Sequence, residues 1–381
     1  MFYKRSECED TTLFRKSVRE FVQKKLIPGA HDWEKLGYPP RELWKELAQM
    51  GYLGISYPEK WGGQEAPFSW SAVFLEELGK CRMGGLSAAV GVHSYIACPY
   101  LEKLGTEAIK EDYLKPALAG EKIGCLAITE PGCGSDVAGI EMTAKETETG
   151  YILNGTKIFI TNGLKGDFAI VAAKTEPSLG AKGVSLFLID LEAPGITRTG
   201  LKKLGWHSSD TAEIHLDEVN VSKDRLLGEK NKGFYAIMDG FQLERLIMAL
   251  ISCGMIEDCL EFTIQYLKER IAFSKPLSSK AVLRHRLAHL SARHSSLRIL
   301  VYQAALEYEE GVTNVELCTV AKLLSSELSV DVSNECLQMH GGYGYMEEYP
   351  VARLMRDSRV NTIAGGTSEI MCEILGKSLF A

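Results

Sequence analysis

The stretch Leu243-Glu244-Arg245-Leu246 sets a carboxylate beside a guanidinium in an apolar, helix-forming run. Stripped of water, such a carboxylate can take a proton from a weak carbon acid; on a solvated helix face it pairs with Arg245 or with charges near Lys268. From those four residues alone the solvated reading is expected. Asp239 and Glu257, in the same run, read as surface decoration. A glycine cluster, Gly341-Gly342-Tyr343-Gly344, lets backbone approach a pyrophosphate closely, or simply ends a helix. It follows a helical run rather than a strand, so it is not the dinucleotide fingerprint of a doubly wound sheet. His285 and His289 stand four apart, a spacing that can ligate a metal, but no third ligand accompanies them. They read as ordinary helix-face histidines, and no metal is expected.

The elements that must position these groups change period twice. Thr11–Leu26 repeats apolar residues at helical spacing, Pro39-Pro40 introduces a helix over Glu42–Met50, and Ser69–Lys80 and Leu86–Leu104 continue the pattern. Tyr57–Pro67, with Pro58, Gly62 and Gly63, reads as a loop. In the middle, Tyr151–Ile160 reads as a hairpin turning at Asn154-Gly155, a pair suited to a type I′ turn. Phe168–Ala173, Val184–Ile189 and Thr211–Val221 read as strands. Only two of the twelve prolines lie beyond Pro194, and Gly233–Phe273, Leu277–Glu310 and Asn314–Met339 read as long helices that pack as a bundle. The expected class is α+β: an N-terminal helical domain (1–121), a small central β domain (122–228) and a C-terminal four-helix bundle (229–381).

Bulk properties narrow the function classes. Of the residues, 45% are hydrophobic and 24% charged, which excludes disorder. The net charge of −7 excludes a nucleic-acid surface, which needs a clustered basic excess. Ten cysteines without a CxxC pair fit reduced thiols in a cytosol-like compartment. No apolar run reaches the roughly 18 residues of a membrane span, and Met1-Phe2-Tyr3-Lys4-Arg5 lacks the apolar stretch of a secretion signal.

Five motifs in register then carry a resemblance. These are Leu126-Ala-Ile-Thr129-Glu130-Pro131-Gly-Cys-Gly134-Ser135-Asp136, Lys157-Ile-Phe159-Ile-Thr161-Asn162, Gln338-Met-His-Gly341-Gly342-Tyr343-Gly344-Tyr345, Arg356-Asp357 and Gly365-Gly366-Thr367-Ser368-Glu369. Together they resemble the acyl-CoA dehydrogenase family over nearly the whole chain. Leu227–Tyr235, Leu243–Leu246 and Ala364–Thr367 are most similar to its long-chain branch.

The resemblance implies an enzyme that removes hydrogen from the α and β carbons of an acyl-CoA thioester, with FAD as hydride acceptor. Many members place the base directly before the Gly-Thr pair of the last motif, where this chain has Gly365. Long-chain and isovaleryl-type relatives place it where Glu244 stands. The resemblance therefore makes Glu244 the base and leaves Gly365 to bind the thioester oxygen through its backbone N–H. It assigns Thr129, Gly134, Ser135, Phe159 and Thr161 to the flavin ring, with Ser135 also near the thioester arm. Arg270, Phe273, Gln338, Gly341, Gly342 and Gly344 go to the FAD of a neighbouring subunit, Thr367 and Glu369 to further FAD contacts, Arg245 to CoA, and Ala88, Ala89 and Val92 to the base of the acyl pocket. One departure is that Ala281, preceded by Lys280, stands where the family often has a glutamine for the pyrophosphate. The implied partners are an acyl-CoA, an electron-transferring flavoprotein and copies of the same chain, commonly as a homotetramer. The implied setting is fatty-acid β-oxidation in a bacterial cytoplasm or mitochondrial matrix. An acyl-CoA oxidase, or a non-enzymatic assembly protein on the same fold, is the alternative.

Overall fold

The computed structural model describes residues 9–380; Met1–Arg5 of the sequence reading lies outside them. Helices α1 (Glu9–Phe21), α2 (Ile27–Leu36), α3 (Arg41–Gln49), α4 (Phe68–Leu78), α5 (Gly84–Gly91), α6 (Cys98–Leu104), α7 (Glu107–Ile109) and α8 (Lys115–Leu118) come first. Three wider π-type turns interrupt them, at Val22–Leu26, Val92–Ala97 and Lys110–Leu114. Each ends two residues before a proline, at Pro28, Pro99 and Pro116. A proline ring has no N–H to give and crowds the carbonyl four residues back, so the preceding backbone widens its hydrogen-bonding step.

The middle of the chain is one sheet. Its strands are β1 (Gly124–Ala127), β2 (Thr143–Glu146), β3 (Gly150–Thr161), β4 (Phe168–Lys174), β5 (Val184–Asp190), β6 (Ile196–Gly200), β7 (Thr211–Ser222) and β8 (Leu226–Leu227). They run in the order β6-β7-β3-β2-β4-β5-β8, with β1 parallel to β4. The hairpin expected at Asn154-Gly155 does not form: β3 runs straight through and pairs antiparallel with β7. Gly155 instead sits at a register slip opposite β7, with φ of 146°, while Asn154 exchanges two 2.8 Å hydrogen bonds with Glu218. An Asn-Gly pair serves a bulge as well as a turn, since both ask for unusual φ.

The last third is helical: α9 (Gly233–Glu269), α10 (Ala281–Glu309), α11 (Val315–His340), α12 (Pro350–Ser358) and α13 (Ser368–Leu379). At 37 residues α9 is about 55 Å long. Leu246, Leu250 and Cys253 from α9 share a core with Phe74, Leu75 and Leu78 of α4, whereas Ile170, Leu186, Phe187 and Leu216 fill a second core inside the sheet domain. The run expected to be helical to Phe273 stops at Glu269. Strands β9 (Ile271–Ala272) and β10 (Lys275–Pro276) then form a two-residue hairpin, with Phe273 and Ser274 at φ of 53° and 62°. No helix among the described residues is long and apolar enough to cross a membrane.

Candidate active site

Glu244 is largely buried on α9, and among the described residues nothing hydrogen-bonds its carboxylate. The expected pairing with Arg245 on a wet face does not occur. Arg245 is itself buried and donates to Gln242 (3.0 Å) and Thr319 (3.4 Å), leaving its Nε without a partner. Burial pushes the Glu244 carboxyl up to about 7, against the opposing pull of Arg245 and Lys322. Asp239 is exposed beside Lys103, and Glu257 pairs with Lys80 at 2.7 Å, so both rivals are surface or structural groups.

The turn between α12 and α13 meets this carboxylate. Gly365 and Gly366 have φ of 64° and 91°, values open to glycine and strained for other residues. A Cβ on residue 365 would stand 3.5 Å from Glu244 Oε1 and 2.3 Å from Met248 Sδ. Positions 244 and 365 therefore address one spot from opposite sides. The N–H groups of Gly365 and Gly366 have no acceptor among the described residues. Lys322 of α11, which sequence reasoning missed, is fully buried and donates to the Gly366 carbonyl. Its isolated position in Ala321-Lys322-Leu323 carries no signal in sequence; only tertiary packing brings it here.

Helix α5 lies against the same part of α9. Gly91 approaches Ile251 and Ile247, with 3.5 and 3.7 Å between its Cβ position and their Cδ1 atoms. On the same stretch of chain, Ala88 and Val92 are half-buried, whereas Ala89 is fully buried. The Asn162 amide donates to the Ala89 carbonyl at 2.9 Å and so ties the end of β3 to α5. Asp357, in the Arg356-Asp357 motif, accepts from the N–H of Gly84 (2.8 Å) and of Trp206 (2.6 Å), which anchors the start of α5. Burial, helped by Glu34, pushes its carboxyl up to about 6.

A second group gathers on the sheet. Phe159 sits where β3 slips register, at φ of 61°, and its ring is 67% exposed. Thr161 is half-buried two residues on, and Thr129 joins them because its carbonyl accepts from the N–H of Ile158 at 2.9 Å. Gly134 and Ser135 lie exposed in the following loop. That loop is pinned by a buried ion pair, Lys157 Nζ to Glu130 Oε1 at 2.7 Å, while Glu130 also accepts the N–H groups of Glu141 and Met142. Neither partner stood among the expected site residues, although both fall inside the motifs.

Two clefts hold the remainder. One, of about 460 Å³, brings Arg270 together with Gln338, Gly341 and Gly342. Another, of about 490 Å³, contains Thr367 and Glu369 with Arg359. Phe273 is 88% exposed at the hairpin tip, with the Lys280 ammonium 5.0 Å from its ring centre. Gly344 is buried where a side chain would strike Leu337. Twenty-five residues, about 37 Å of helix, separate Glu244 from the end of α9 at Glu269 beside Arg270. His285 and His289 are exposed, and no group of three or more metal-ligating side chains exists among the described residues.

The residues fit a flavin dinucleotide. An aromatic ring held out of a strained strand position offers an apolar face. The Cβ positions of Gly132, Gly134, Gly341 and Gly342 have no atom within 4 Å, which leaves backbone open to a close-lying ligand.

Comparison with known proteins agrees along the chain. Family models described as the acyl-CoA dehydrogenase N-terminal, middle and C-terminal domains match residues 8–121, 125–219 and 231–380. The long-chain specific acyl-CoA dehydrogenase of Mus musculus mitochondria is 39% identical over 372 residues, covering 96% of this chain and 86% of that protein. Isovaleryl-CoA dehydrogenase from Solanum tuberosum mitochondria is 34% identical over 370 residues, covering 96% and 90%. The solved structure of butyryl-CoA dehydrogenase from Megasphaera elsdenii superposes with a TM-score of 0.95 at 34% identity over all of both chains. With all three domain models matched in order on a fold whose surfaces suit the cofactor, the chain belongs to the acyl-CoA dehydrogenase family of FAD-dependent oxidoreductases.

Proposed function

We propose that this enzyme converts an acyl-CoA thioester to its trans-2-enoyl-CoA, with Glu244 as the base. The observation that carries the proposal is the meeting of Glu244 Oε1 with the backbone of Gly365, 3.5 Å from where a side chain there would begin. The carboxylate takes the α proton, and its burial raises its basicity into the working range. The unpartnered N–H of Gly365 holds the thioester oxygen, which stabilises charge as the α proton leaves. Bound FAD supplies the acceptor for the β hydride, a role no side chain can fill. Thr129, Gly134, Ser135, Phe159 and Thr161 hold its ring, while Thr367 and Glu369 supply further contacts. Arg270, Phe273, Gln338, Gly341 and Gly342 contact the cofactor of a second copy, in a homotetramer. The 37 Å or so between Glu244 and that cleft is too long for one cofactor to serve both places, which supports this reading. Ser135 and Arg245 face the CoA side, and Ala88, Ala89 and Val92 leave depth for the acyl chain. The three domains divide at about 121 and 228, and electrons leave to an electron-transferring flavoprotein in fatty-acid β-oxidation.

The relatives named above differ in acyl group, so the test is a panel. Anaerobic titration with straight, branched and aromatic acyl-CoA thioesters should bleach the flavin with at least one class. Glu244→Gln should retain FAD and lose that bleaching; a variant that bleaches at the parent rate would remove Glu244 from the role.

A further inference from the structure

Lys322 is the least expected charge near the site. It is fully buried on α11, and the one hydrogen-bond partner of its ammonium among the described residues is the carbonyl of Gly366. No carboxylate lies within salt-bridge reach of it among those residues. Burying an ammonium is costly unless nearby charge compensates. The charged groups that face it are Glu244 and Arg245 from α9 and Glu369 from α13. Those that face Glu244 are Arg245 and Lys322, with the neutral phenol of Tyr100 from α6 also near it. The Gly365–Gly366 turn links Lys322 and Glu244: the ammonium hydrogen-bonds the Gly366 carbonyl, and the carboxylate approaches the Cβ position of Gly365.

We infer that Lys322 is a positioning residue for the base: its ammonium fixes the Gly365–Gly366 turn and favours the ionised form of Glu244 across it. The inference rests on Glu244 being the base. One buried cation thus serves both halves of the proton transfer, the carboxylate and the turn whose N–H holds the thioester oxygen. Burial pulls the Lys322 ammonium down to about 8, so it is still charged when Glu244, near 7, ionises.

Lys322→Gln keeps a donor for the Gly366 carbonyl and removes the charge, and Lys322→Met serves if the first does not fold. Two quantities are measured on FAD-loaded protein. One is the pH midpoint of flavin reduction by the best acyl-CoA. The other, without substrate, is the midpoint of the Glu244 protonated-carboxyl band in infrared difference spectra, assigned by its loss in Glu244→Gln. Both midpoints should rise by about one pH unit in the charge-removing variants, and Lys322→Arg should restore them toward the parent values. An unmoved carboxyl midpoint in a folded, flavin-loaded Lys322→Gln or Lys322→Met protein overturns the inference. Full reduction by Glu244→Gln would instead overturn the base assignment, while the infrared titration still reads the lysine's effect.

Discussion

Ionising a buried carboxyl such as Glu244 should make the protein less stable. The Glu244 carboxyl stands at 4.5 in its ordinary state and at about 7 in the fold, because burial disfavours the charged form. A folded value above the unfolded one means that the carboxyl costs nothing at pH well below 4.5. The cost grows as pH rises and is complete above about 7. Integrating at about 1.4 kcal/mol per pH unit gives a penalty of about 0.8 kcal/mol at pH 5 and about 3.3 kcal/mol at pH 8, so the parent loses about 2.5 kcal/mol between them. Glu244→Gln carries a neutral amide of similar shape whose own burial cost is the same at both pH values. Melting temperature is therefore compared for the two FAD-loaded proteins, without substrate, at pH 5 and pH 8. Titrating groups that do not interact with Glu244 are common to both and cancel. A chain of 381 residues unfolds with an entropy near 0.8 kcal/mol/K, so the gap in favour of Glu244→Gln should widen by about 3 °C from pH 5 to pH 8. A gap that stays constant or narrows refutes the reasoning, because it means that residue 244 titrates as a solvated carboxylate.

Two further substitutions probe the scaffold. Lys157→Met strands the Glu130 carboxylate inside the sheet domain, with two backbone N–H donors but no counter-charge, and should destabilise by about 3–5 kcal/mol in chemical denaturation; a loss under 1 kcal/mol would show that those N–H groups alone suffice. Phe273→Asn relieves a left-handed turn position that asparagine tolerates better, so its melting temperature should hold or rise slightly. Its FAD retention through desalting should fall, and undiminished retention would take Phe273 out of the cofactor contact.

What sequence could reveal here depended on whether the cause of a feature was local. The succession helices, strands, helices follows from apolar period and proline placement, and those are local properties. The Asn154-Gly155 turn was misread because a turn and a bulge make the same demand on φ, and only the partner strand decides between them. The hairpin at Phe273-Ser274 was missed for the opposite reason: its two left-handed residues are a phenylalanine and a serine, with no glycine or asparagine to announce them. Lys322 was invisible because a single lysine in a helical run is ordinarily solvated, and its burial is decided by the packing of α9 and α13 around α11.

The pair Glu244 and Gly365 shows how one spot in a fold can be reached from two segments of the chain. A carboxylate from either segment could occupy that spot, because residue 244 and residue 365 converge on it. A glutamate at both positions would set two carboxylates in one desolvated pocket, where each raises the other's proton affinity and one remains protonated. One acid and one glycine is therefore the stable solution for either arrangement. In this chain the space at 365 is already taken by Met248, whose Sδ stands 2.3 Å from the Cβ position there. The thioether fills what an acid at 365 would need, and it keeps the surroundings of Glu244 apolar. Placing the acid at 365 thus requires more than two exchanges: Met248 must shrink as well, and a side chain must accept a backbone φ of 64°. The turn itself can stay, because the N–H that it offers is one that every amino acid except proline provides.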